Sequence, residues 1–412
     1  MMLDAALIWD DFQAICDCGG RQTGTDSERT ATELLARLGE EATGVAPRRE
    51  LFRYDGWAAI SGAINLENGA CLTANPLLRS VSTPPAGLEA EVIDLGRGTP
   101  DEFATHRHDI AGRIVLVRHE LMFAAGTVHR KMKYNMALEA GAVGFLIAGP
   151  LLGALVAGSS GRGNEPGIPA AGITPEAASA LQRTSVGYPK IRLEIKGNDR
   201  DETASNLIFD MPGESSERIV LSAHIDGHAL GESALDNASG LAVSLAVARA
   251  LRAYVPKKRS LRLAFFNAEE WALTGSHTHI ETMTQSERDR IALNVNLDTV
   301  AGSDRLTALT SGFSRIEPFL LDCAEAAAVP LGLFRPLQVN SDHGNFALAG
   351  IPAFRLVAGF NDHSADIRHV LTPRDRRDLA TRDQLFNAAR LTSEIVARAL
   401  SANSEKTQAW RG

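Results

Sequence analysis

The 412 residues exceed the roughly 250 to 300 at which a single core stops growing, so one large domain and a smaller one are expected. The composition, 44% hydrophobic and 22% charged with 36 Gly and 17 Pro, excludes disordered and fibrous classes, and a formal charge of −8 leaves no basic footprint for nucleic acid. Four cysteines, Cys16, Cys18, Cys71 and Cys323, are too few and too scattered for a disulfide framework or a thiolate zinc site and read as reduced and buried.

The N-terminus has no basic region and reaches Asp10 and Asp11 before an export-type apolar core can form, so a cytoplasmic location is expected. The longest apolar stretch, 149–159, is too short to span a bilayer. Residues 25–39 read as an amphipathic surface helix, with hydroxyl and acidic residues at its start and Gly39 at its end. From 51 to 197 come short β-like runs, such as 114–117 and 143–147, separated by turns. From Asn206 onward strands (219–223, 261–266, 292–297) alternate with helices (240–253 and from Trp271), the pattern of an α/β sheet covered on both faces. The basic run Lys257-Lys258-Arg259 reads as a solvated turn, and the scattered histidines His106, His108, His119 and His129, with His277 and His279, read as structural.

Acids and histidines collect just past the strands, where open α/β sheets bind their ligands. After the first strand comes His224-Ile-Asp226, then Asp236 in a Gly-containing turn before a helix; after the second comes Glu269-Glu270; after the third, Asp298. Carboxylates clustered in this way repel one another unless cations join them, and a set of imidazole and carboxylate without thiolate suits catalytic zinc. Alternation places His224 and Asp226 on one face, so Asp226 is expected to accept the second ring N–H of His224. Asp236 is the natural carboxylate to be shared by two metals, and one of Glu269 and Glu270 can bind metal while its neighbour takes a proton from water. Each element alone has a bland reading as a cap, a solvated helix start or a core histidine. Their joint occurrence favours a site.

The ordered set His224-Ile-Asp226, 234–240 around Asp236, 267–276 around Glu269-Glu270, Asn296-Leu-Asp298 and Ser341-Asp342-His343 resembles the M28 family of zinc peptidases, the aminopeptidase and glutamate carboxypeptidase group. It covers about the last 200 residues, and 19–24 is similar to that family's N-terminal segment. Residues 112–117, 140–147 and 168–173 resemble the protease-associated (PA) domain often inserted there. The resemblance implies a three-layer, mixed-sheet α/β zinc-peptidase domain of the phosphorylase/hydrolase-like type, over 1–55 and 196–412, with a smaller β-rich PA-like insert over 56–195 that would wall the cleft. It implies two zinc ions, one remaining possible. His224 and Asp298 would hold the first, Asp236 would bridge, Glu270 would hold the second, and Glu269 would be the general base.

The family's late histidine stands directly before a Thr-Pro pair, but here that position, before Thr372-Pro373, is Leu371, and His369 comes two residues early. His369 is the expected second-site ligand, with His363 and His343 as alternatives. The expected reaction is hydrolysis of a peptide or amide bond by metal-activated water, on a small peptide as an aminopeptidase or carboxypeptidase. Other readings are a small non-peptide amide from a catabolic pathway, a non-catalytic ligand-binding member, or a glutaminyl cyclase. A homo-oligomer remains open, and neither nucleic acid nor membrane is an expected partner.

Overall fold

The computed structural model describes residues 2–163, 166–182, 187–254 and 257–411. The chain divides into two compact units, 1–54 with 203–370 and 375–412, and 55–202 with 371–374. Among the described residues no helix is long and apolar enough to cross a membrane.

The first unit is built on a mixed sheet. Its strands run, in spatial order, Leu331–Phe334, Leu306–Leu309, Ala353–Ala358, Ile291–Leu297, Arg218–His224, Ser260–Phe266, and the C-terminal end of Lys190–Met211. The central four are parallel, and antiparallel pairing enters at Leu306–Leu309 and at residues 207–211. Their residues are nearly all buried, as expected of strands covered on both faces. Helices Ser239–Leu251 and Arg382–Ser401 pack on one face. On the other, Ile280 of helix Thr274–Glu281 and Phe346 of helix His343–Leu348 join Val220, Ala264 and Phe266 in a common apolar cluster.

The helix expected over 25–39 spans Asp26–Thr43, with Thr25 capping its start and Gly44, in the left-handed conformation, ending it. Gly39 is therefore a mid-helix residue, not a stop. A side chain there would place its Cβ 2.2 Å from the Phe209 ring, so close packing onto the sheet explains this glycine. A first helix, Ala5–Asp17, precedes it.

Arg259 is no solvated residue. It is 1% exposed, donates to the Thr407 hydroxyl at 2.9 Å, and lies 2.8 Å from the Glu217 carboxylate. The cysteines are free, but Cys71 is exposed and Cys18 only half-buried, so burial holds for Cys16 and Cys323 alone.

In the second unit, strands Leu88–Asp94, Ile114–Arg118, Gly144–Ala148 and Ala170–Ile173 are parallel and in sequence order, and Asn75–Pro76 closes the edge antiparallel. Residues 190–193 pair antiparallel with Leu88–Asp94. Leu371 belongs here: its carbonyl accepts from the Ala157 N–H at 2.7 Å, and its φ is +67°.

Candidate metal centre

Three parallel strands bring their carboxyl ends together. His224, the last residue of its strand, is in register with Phe266, and Ser222 with Asn296. The loop carrying Glu269 and Glu270 and the residue Asp298 therefore emerge beside His224 at one edge of the sheet. Asp236 arrives from the turn before helix Ser239–Leu251, where the Asp236–Asn237 peptide bond is cis. That turn is tied to the sheet because the Asn237 amide donates to the Leu297 carbonyl at 2.9 Å and accepts from the Gly240 N–H at 3.0 Å.

Two ligand-ready groups result. His224, Asp236 and Asp298 form one, and His228, Asp236 and Glu270 the other, each with ligand atoms within 4.8 Å of one another. Nε2 of His224 lies 3.0 Å from Asp236 Oδ1 and 3.6 Å from Asp298 Oδ1, and Nε2 of His228 lies 2.5 Å from Glu270 Oε1. Asp236 belongs to both groups, the position of a bridging carboxylate. Glu269, 8% exposed, belongs to neither.

The electrostatics fit cations in this place. Burial, with neighbouring carboxylates, raises Glu269 well above the usual carboxylate range and raises Asp236, despite the opposing charge of His224. Burial opposes the charged form of His224, but Glu269, Asp236 and Asp298 outweigh it and raise its pKa. Burial would raise Asp298 too, yet the Arg355 guanidinium, 3.1 Å away, together with His224 holds it low. Buried acids pushed upward by one another, around Nε2 atoms aimed at shared carboxylates, fit a site built for divalent cations.

The surrounding residues hold the ligands differently from expectation at two points. Nδ1 of His224 meets the backbone carbonyl of Asp226 at 3.0 Å, whereas the Asp226 carboxylate is 3.8 Å away. That carboxylate instead accepts the backbone N–H groups of Glu269 and Glu270 at 3.0 and 3.1 Å, and the Thr23 hydroxyl at 3.0 Å. Asp226 thus orients the glutamate pair. Burial raises it to about 6, against the charge of His224. Asp375 does similar work for the bridging turn, accepting the Leu235 N–H at 2.7 Å and the Asp236 N–H at 3.4 Å.

The second departure is the imidazole of the second group. His369 is buried but stands in neither group, with its Nε2 3.8 Å from Asp366. His363 is exposed, and His343 is fully buried outside both groups. The imidazole beside Glu270 is that of His228, which sequence reasoning missed. A signal existed: His228 follows the predicted ligand His224 by four residues, across a glycine. Alternation along a strand cannot reach it, because the chain has left the sheet.

Fold and site together define a class: α/β proteins built on a mixed sheet, with a carboxylate- and imidazole-lined candidate metal centre at the ends of parallel strands and a second α/β unit in the chain. Residues 206–396 match the model of peptidase family M28, and residues 76–181 match that of the PA domain. The chain thus carries a peptidase family M28 region over 206–396, preceded by a PA domain over 76–181.

It is 30% identical over 322 residues to a probable leucine aminopeptidase 2 of Aspergillus fumigatus, across 74% of this chain and 61% of that protein. The chain thus spans about three fifths of that relative's length. It is 26% identical to aminopeptidase YwaD of Bacillus subtilis, across 78% of this chain and 69% of that one. Its fold is similar to the structure of a zinc aminopeptidase from Bacillus subtilis, with a TM-score of 0.77 at 23% identity, covering 97% of this chain and 95% of the other.

Proposed function

We propose that this chain is a zinc-dependent aminopeptidase whose centre holds two ions, one by His224, Asp236 and Asp298, the other by His228, Asp236 and Glu270. The observation that carries this reading is the pair of ligand groups sharing Asp236, with the buried Glu269 carboxylate left over beside them. The names of the relatives support the choice of an N-terminal peptide bond.

Zinc bound there supplies Lewis acidity and water acidic enough to ionise near neutral pH. The chain's own residues do the rest. Glu269 takes the proton of the attacking water and delivers it to the leaving amine. Asp226 aims it by gripping the backbone N–H groups of residues 269 and 270. The charge of His224 favours the ionised form of Glu269 against its burial, and a divalent cation held beside it would favour that form further. Arg355 keeps Asp298 ionised as a ligand.

The test is Glu269→Gln, an isosteric change that keeps the backbone N–H groups Asp226 accepts. Turnover of aminoacyl amides is expected to fall by roughly 10²- to 10⁴-fold, the usual contribution of a positioned general base, with zinc content unchanged. A variant retaining near-normal turnover removes Glu269 from the reaction.

A further inference from the structure

The two imidazoles of the centre are held by different means. His224 sits on a strand with both neighbours in register, so the sheet fixes it. His228 sits on the loop that follows, and that loop is gripped from the far end of the chain. Arg21 is fully buried, and all of its guanidinium hydrogen bonds end on backbone carbonyls: Ile225 at 2.9 Å, Glu232 at 2.8 Å, Ser233 at 2.8 Å, and its own segment's Gly19 at 3.0 Å. Three of those carbonyls bracket His228 on both sides.

The grip is returned and tightened. The Gly227 N–H donates to the Arg21 carbonyl at 3.3 Å, and the His228 N–H donates to the Ser233 hydroxyl at 2.8 Å. Gly20 lies so close that a Cβ there would fall 1.9 Å from the His228 carbonyl oxygen. A buried guanidinium satisfied only by carbonyl dipoles tolerates little displacement, since each lost bond leaves a desolvated donor. A metal ligand needs its nitrogen held to a few tenths of an ångström.

We propose that Arg21, seated by Gly20 against the same loop, is the positioning residue for His228, so that filling of the second metal group depends on it while filling of the first does not. The inference rests on the reading above that His228, Asp236 and Glu270 hold the second ion. Arg21 belongs to neither ligand group. It acts by fixing the path of residues 225–233.

The experiment is zinc titration of the full chain, stripped by chelator, by calorimetry with elemental analysis, and cobalt absorption as a second readout, for wild type, Arg21→Lys and His228→Ala. Wild type is expected to take up two ions and His228→Ala one. Arg21→Lys, which keeps the charge but loses the fork, should bind the first ion with wild-type affinity and the second roughly 10- to 100-fold more weakly, the usual cost of removing a support behind a ligand. First-site binding also reports that the fold is intact. Should Arg21→Lys fail to fold, Gly20→Ala presses on the same loop from the other contact and is read the same way.

Unchanged second-site affinity in the variant overturns the proposal, as does an equal weakening of both sites, which would mark a general structural role. Two ions retained at wild-type affinity by His228→Ala would instead overturn the ligand reading itself, whatever Arg21 does.

Discussion

His343 is fully buried, and neither of its ring nitrogens has a hydrogen-bond partner among the described residues. Burial, helped by the charge of Arg355, lowers its pKa to about 3. The folded protein therefore refuses a proton that the unfolded chain accepts below about 6.5. Stability is complete above that pH and is lost as pH falls from about 6.5 toward 3, at up to about 1.4 kcal/mol per pH unit. His343→Leu, of similar size and without an ionisable group, is expected to flatten this slope in the metal-free protein, by about 1 kcal/mol between pH 6 and 5. Urea midpoints at the two pH values decide it: an equal slope in both proteins means that His343 does not set the acid limit. At this same scale His224, Asp236, Glu269, Glu270 and Asp298 were singled out in the sequence, because each lies at the end of an apolar strand or in the connection that leaves it. His228 was not, since its approach to Glu270 depends on how a loop turns back. Asp226 was visible as a residue but not in its task, because whether a carboxylate or a carbonyl faces Nδ1 is settled by side-chain rotation within the packed site.

Among the elements, helix Asp26–Thr43 shows how a local signal misleads. Gly39 reads as a helix end, yet the helix runs on to Thr43 because Gly39 is where it touches Phe209. In an exposed helix, Gly→Ala stabilises by about 1 kcal/mol. Here the added methyl meets the ring, and Gly39→Ala is expected to destabilise by about 1 to 3 kcal/mol, the range for overpacking. Pairing it with Phe209→Leu should recover part of that loss, giving a coupling of at least about 0.5 kcal/mol in a double-mutant cycle of denaturation midpoints. Additive effects would refute the contact as the reason for the glycine. The five strands read from the sequence lie within a residue of those observed because a buried parallel strand is largely an apolar run, whereas Leu306–Leu309, Leu331–Phe334 and Ala353–Ala358 were not singled out. The burial of Arg259 was not legible, since its partners Glu217 and Thr407 are far away in sequence.

For the molecule as a whole, metal held in the proposed centre would also stabilise the fold. An ion that binds only the folded chain adds about 2.7 kcal/mol at a hundred times its dissociation constant. Zinc is therefore expected to raise Tm in a concentration-dependent way, and a chelator to lower it. Because Asp236 belongs to both ligand groups, Asp236→Asn should lose most of that zinc-dependent rise, whereas His228→Ala should keep part of it. Calorimetric scans with and without zinc check this: a full rise in Asp236→Asn would contradict the shared ligand. The α/β class and the acidic character of the centre were present in the order of strands, helices and carboxylates, because strand ends in a parallel sheet converge whatever the loops do, while the inserted unit was legible through its resemblance to the PA domain. Which imidazole completes the second group was decided only by tertiary structure. The loop bearing His228 takes its path from Gly20 and Arg21, some two hundred residues earlier in the chain, and no local pattern encodes a contact made across that distance.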